Sequence, residues 1–142
     1  MKSEIIFEQK EHGQSMVELA LTITILMVLL AGTIDLGRAF FTWLAMRDAA
    51  QEGASYGSIN PSDGGGILSR ISSNLDQVIR PPQVYVVNFS TPPNPCLGDT
   101  IKVDIDYPQF PLTMPFLGTI LGNQYIPIHA TINDTIISPM CP

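Results

Sequence analysis

Few side chains in this sequence are placed to do chemistry, and the most conspicuous is an acid in apolar company. Glu18 follows Gly13-Gln14-Ser15-Met16-Val17, and from Leu19 to Ile34 no residue carries a charge. A carboxylate at bilayer depth costs about 2.5–3.5 kcal/mol or more, so Glu18 calls for a designated partner. The other candidates are weaker. His12 lies near the start of the chain, and His129 stands alone in an alternating segment, as an exposed strand residue rather than a base or ligand. Asp104 and Asp106 share one strand face, which could seat a cation or a catalytic pair, yet no third ligand accompanies them and they read as solvated acids. Gly64-Gly65-Gly66 lacks the Gly-Lys-Ser/Thr ending of a phosphate-binding loop. Cys96 and Cys141 do not have metal-ligand spacing. No catalytic residue, metal site or cofactor is therefore expected.

The element that must position Glu18 is a long helix. Met16 to Ile34 is apolar except for Glu18 and three threonines, and as a helix it rises about 28 Å, enough to cross a bilayer core. A secretory signal would have a shorter apolar core with small residues at a cleavage site beyond it, whereas here helical pattern runs on through Asp35-Leu36-Gly37-Arg38. No proline interrupts Asp35 to Gly57. Ala45, Ala49, Gly53 and Gly57 recur every four positions and form one smooth face, with Ala50 and Ala54 in a parallel row. Such a face admits close approach, either by other helices in a filament or by the chain's own sheet. Phe40, Phe41 and Trp43 fall just past the apolar span, where an aromatic belt anchors a helix at the membrane surface.

Length and composition bound the remainder. With 142 residues, 45% hydrophobic and 14% charged, the chain is too apolar for disorder and accommodates one modest domain beside a membrane helix. Its net charge of -6 leaves no basic stripe for a phosphate backbone, so nucleic acid is not an expected partner. Asn60-Pro61-Ser62-Asp63-Gly64-Gly65-Gly66 reads as a turn-rich linker. Ile67, Leu68, Ile71, Leu75, Val78 and Ile79 then carry a helical stripe that Pro81-Pro82 stop. Strands are expected at Val84–Ser90, at Ile101–Tyr107 and from Ile126 to Ile137, joined by long proline-containing connections. The expected class is α+β: a long N-terminal transmembrane helix continuing outside the membrane, then a small domain with one amphipathic helix and a roughly three-stranded antiparallel sheet. The apolar stretch from Pro108 to Gly122 either folds back on the core, the favoured reading, or offers a patch to a partner.

Orientation follows from the cysteines more than from the basic residues, which are balanced across the apolar span. Two cysteines beyond the membrane segment point to a Cys96–Cys141 disulfide in an oxidising space, with the C-terminal domain outside the cytoplasm. Closing so long a loop contributes roughly 4 kcal/mol in the chain-entropy model.

Three blocks in order resemble the TadE-like family of pseudopilins of the tight-adherence (Flp) pilus system: Gly13-Gln14-Ser15-Met16-Val17-Glu18-Leu19-Ala20-Leu21, Gly32-Thr33-Ile34-Asp35-Leu36-Gly37-Arg38 and Arg47-Asp48-Ala49-Ala50-Gln51-Glu52-Gly53-Ala54. The resemblance implies a prepilin-type leader at 1–13, cleaved by a prepilin peptidase between Gly13 and Gln14. It further implies an assembly helix at 14–57 and an extracytoplasmic domain at 58–142. The new amino group at Gln14 is then the cation that pairs with Glu18 of a neighbouring subunit. Implied partners are the peptidase, other pilin or pseudopilin subunits, the pilus membrane platform and membrane lipid. The implied location is the cytoplasmic (inner) membrane or the pilus itself, in the service of pilus assembly and cell adhesion. Two features depart from the family pattern: residues 1–13 are mildly acidic rather than basic, and Thr24 stands where many members have a proline. The alternative is an uncleaved single-pass membrane protein whose outer domain binds a partner through the 108–122 stretch.

Overall fold

The structure is a computed structural model that describes residues 11–80, 83–114, 118–119 and 122–138. Its first element, α1 (Glu11–Ile59), is one unbroken helix of 49 residues, about 73 Å long at 1.5 Å per residue. The absence of proline and the run of Leu, Ala, Met and Ile favour helix throughout. Within the apolar half, the threonines satisfy their hydroxyls locally: Thr22, Thr24 and Thr33 donate to the carbonyls of Glu18, Ala20 and Leu29 at 2.7–2.9 Å. That half is exposed from Gly13 to Leu30, with large side chains such as Leu26, Met27 and Leu29 standing open, and at Gly32 it meets Met114. By length and composition α1 is able to cross a membrane.

From Asp35 onward the same helix becomes the spine of a small domain. Met46, Ala49, Ala50 and Ala54 are fully buried against Ile67, Ile71 and Leu75 of α2 (Gly64–Leu75) and against the sheet. The row of small residues sets the spacing. A Cβ on Gly53 would lie 2.4 Å from Cγ1 of Ile71, and one on Gly57 would lie 2.2 Å from Cδ1 of Ile101.

Helix α2 begins inside the segment read as a linker. Asp63 caps it by accepting the Gly66 N–H at 2.9 Å, and the Tyr56 hydroxyl donates to the second carboxylate oxygen at 2.7 Å. The Tyr56 hydrogen bond, followed by that of Gly66, holds the Asp63 carboxyl below the usual range. Glycine is a poor helix former, by about 1 kcal/mol, but here side chains have no room. A Cβ at Gly64 would come within 2.8 Å of the Phe89 ring, and one at Gly66 within 2.6 Å of the Tyr56 ring. Beyond Leu75 the stripe continues as turns, with the Ile79 N–H on the Leu75 carbonyl and Ile79 buried.

Strands β1 (Val86–Ser90), β2 (Thr100–Pro111) and β3 (Tyr125–Thr135) form an antiparallel sheet in the order β1-β2-β3. Ile101, Val103, Ile105 and Tyr107 face inward in alternation. β2 runs past the expected end at Tyr107 because its register shifts by one residue: Tyr107 pairs with Ile128 and Phe110 with Ile126. This irregularity accommodates Pro108 and turns Phe110 to the same buried side as Tyr107. The architecture is α+β, with α1 and α2 covering one sheet face.

The contrast between two glycines tests this packing. Gly57→Val should destabilise the detergent-solubilised protein by about 1–3 kcal/mol through overpacking. Gly37→Ala, with nothing within 4 Å of the new methyl, should be neutral or stabilising by up to about 1 kcal/mol. Thermal unfolding followed by circular dichroism measures both.

Candidate functional site

The expected processing and assembly residues sit on the free end of α1. Gly13, Gln14 and Glu18 are exposed, and with Val17 and Leu21 they line one open groove along the helix. A 3.6-residue period brings positions 14, 17, 18 and 21 onto one side. Among the described residues no ion pair includes Glu18. Of the proposed packing residues, Ala45 is half-buried, while Ala49, Gly53 and Gly57 are buried against the chain's own α2 and sheet.

A different acid holds the domain to the helix. Asp35, one residue beyond the apolar run, is only 3% exposed. Its Oδ2 accepts the backbone N–H groups of Thr113 and Met114, each at 2.8 Å, and its Oδ1 faces Arg38 Nη1 at 3.4 Å. Arg38 also donates to the Thr113 hydroxyl, and its guanidinium lies 5.3 Å from the centre of the Phe110 ring. The segment after β2 is thereby drawn onto α1, with Phe110 buried, Leu112 against the core and the Met114 sulfur 3.8 Å from where a Gly32 Cβ would be. Over its described part, the stretch beginning at Pro108 folds back rather than standing free; Phe116 and Leu117 lie outside the described residues. Sequence reasoning passed over Asp35 as part of a block. The usable signal was an acid at the end of an apolar run with an arginine three residues on.

The aromatic group past the apolar span is ordered as a unit. Phe40 and Trp43 stack at 6.1 Å, Phe40 and Phe41 meet edge-on at 6.2 Å, and Arg47 covers Trp43 at 5.7 Å. Phe41 remains 70% exposed.

The outer sheet face gathers Lys102, Asp104, Asp106 and His129. His129 Nδ1 meets Asp106 Oδ1, His129 Nε2 lies 2.8 Å from the Thr131 hydroxyl, that hydroxyl donates to Asp104, and Lys102 pairs with Asp104 at 2.9 Å. The Lys102 ammonium, then the Thr131 hydroxyl, keep the Asp104 carboxyl below its ordinary range. An acid, an imidazole and a hydroxyl in line resemble a nucleophilic relay, but these side chains lie on an open strand face and Thr131 is already bonded to a second carboxylate. Among the described residues no group of three or more His, Cys, Asp or Glu side chains is placed to hold a metal.

Cys96 lies in the β1–β2 connection, where its N–H donates to Asp99 at 2.8 Å. That connection is tied to the C-terminal segment: the Gly98 N–H donates to the Ile136 carbonyl, and the Ile136 N–H to the Asp99 carbonyl. Cys141 lies outside the described residues, as do residues 1–10 of the expected leader.

Removing the Asp35 carboxylate should strand two backbone donors. Asp35→Ala should cost about 1–3 kcal/mol and accelerate amide hydrogen exchange at Thr113 and Met114 while α2 stays protected. Asp35→Asn, which retains one acceptor oxygen, should lose less.

Comparison with curated proteins and with solved structures returned no match. The family model for TadE-like protein matches residues 13–55. That stretch falls wholly within α1 and includes the Gly13–Glu18 turn, Asp35, and Ala45, Ala49 and Gly53 of the small-residue row. The match covers under a third of the chain, and over that stretch the long helix is similar to that of TadE-like proteins, a family associated with tight-adherence pili.

Proposed function

We propose that the protein is a processed pseudopilin of a tight-adherence pilus system. A prepilin peptidase cuts between Gly13 and Gln14, α1 stays in the cytoplasmic membrane or enters the pilus, and the α+β domain faces outward. The observation that carries this reading is Glu18: an acid on the exposed apolar half of α1, one helical turn from Gln14, with no ion-pair partner among the described residues. A carboxylate held at bilayer depth selects for a cation brought by another chain, and a freed α-amino group at Gln14 is a cation at neutral pH. The exposed apolar side chains between Met16 and Ile34 supply the surface on which further pilin or pseudopilin helices and the membrane platform pack, with lipid covering the rest.

The outward domain suits that task. Its small-residue row is occupied by its own α2 and sheet, so subunit contact falls to the N-terminal half of α1. A Cys96–Cys141 bridge would pin the C-terminal segment to the connection that already bonds Ile136. The 108–122 stretch, which motivates an uncleaved partner-binding protein instead, is engaged by Asp35 over its described part.

Mass spectrometry of the protein recovered from its native membrane should find a chain that begins at Gln14, and Gly13→Ala should leave residues 1–13 attached. An intact leader on the unaltered protein in cells with an active prepilin peptidase contradicts the proposal. Glu18→Ala should be processed normally but impair pilus assembly, scored by electron microscopy and shear fractions; a full complement of pili from this variant rules out the pairing.

A further inference from the structure

A cleft of about 290 Å³ opens beside α1 just past the apolar span, between the helix, the turn after α2 and the far end of β2. Its polar lining consists of Arg38, Thr42, Gln83 and Tyr107, and Phe41 and Val78 contribute apolar wall. Arg38 stands four residues beyond Ile34, about 6 Å along the axis, which is headgroup depth if the apolar half is in the bilayer. Phe41 and Val78 are exposed at this rim.

Two details point to an occupant. Tyr107 is 2% exposed, yet its hydroxyl has no hydrogen-bond partner among the described residues, and such buried groups ordinarily find one. Burial also raises the phenol's pKa, with Arg38 opposing, so the group remains a donor at neutral pH. Among the described residues Arg38 is the one charged residue lining the cleft, and its contacts with Asp35 and Thr113 all use Nη1. A guanidinium carries five N–H donors, so Nη2 and Nε remain for a second acid. Neither a neutral ligand nor a free anion matches both halves of the lining. An amphiphile with an anionic head does.

We propose that this cleft binds the head and glycerol region of one anionic phospholipid, the phosphate on Arg38 and an ester or hydroxyl oxygen on Tyr107. The inference rests on the membrane location of α1 proposed above, and it gives the outer domain a fixed seat on the membrane surface. Any loss of contact with lipid leaves the cleft empty, so the site distinguishes a chain in the membrane from one extracted into a filament.

The test uses the full chain purified in mild detergent, mixed with equal amounts of phosphatidylglycerol and phosphatidylcholine and examined by native mass spectrometry. One phosphatidylglycerol should be retained per chain under conditions that strip phosphatidylcholine. Arg38→Gln should weaken retention by about tenfold or more, as loss of a charge-assisted hydrogen bond predicts, and Tyr107→Phe by about fivefold. Because the Tyr107 hydroxyl has no partner to lose among the described residues, Tyr107→Phe should fold with an unchanged or higher Tm, and phosphatidylglycerol should raise the Tm of the unaltered protein more than that of the variant. Equal retention of the two lipids, undiminished retention by Tyr107→Phe, or displacement by millimolar inorganic phosphate, which marks a free-phosphate site, each overturns the proposal. Alkaline carbonate extraction of native membranes separates the premises. Release without detergent defeats the membrane reading and this inference together, whereas a retained protein without lipid preference defeats only the inference.

Discussion

One uninterrupted helix joins a half apolar enough to cross a membrane to a half built into a folded domain, and the rest of the molecule is arranged around that constraint. Along α1 the side chains are first large and apolar on every side, then small on the side that meets α2 and β2. Large residues suit lipid, where lateral contact is indifferent to shape, while small ones let a second layer approach within a methyl group's width. No proline or kink separates the two regimes, so the angle between apolar rod and outer domain is set by packing rather than by a hinge.

The transition between the regimes falls at Asp35. A buried carboxylate is costly unless its oxygens are occupied, and here two backbone amides and a guanidinium occupy them. The same contacts draw the end of β2 onto the helix where the apolar segment gives way to the domain. Glu18 is the opposite case: an acid in apolar surroundings whose intramolecular neighbours, among the described residues, offer no cation. One acid closes the fold, and the other is the one proposed to serve assembly.

Much of this was legible in the residues. Periodicity located α1, the stripe of α2 and all three strands, because alternation and 3.6-residue spacing are properties of the chain itself. What escaped depended on partners distant in sequence. Gly64 and Gly66 read as linker until Phe89 and Tyr56 are seen to occupy the space where their side chains would go. Pro108 reads as a strand terminator until the register shift beside it lets Tyr107 and Phe110 both turn inward. Asp35 reads as a boundary marker until residues 78 and 79 positions later supply its donors. Gly13, Gln14 and Glu18 form a pattern that does not depend on the fold of the outer domain, and the processing and pairing roles proposed for them rest on that pattern alone.

The end of α1 carries a mechanical implication. The Ser58 carbonyl, in the helix's last turn, accepts the N–H groups of Ile137 and Ser138 immediately after β3. The chain's descent from β3 is thereby fastened to the far end of the helix by main-chain bonds as well as by side-chain packing, so α1 cannot tilt against the sheet without breaking both.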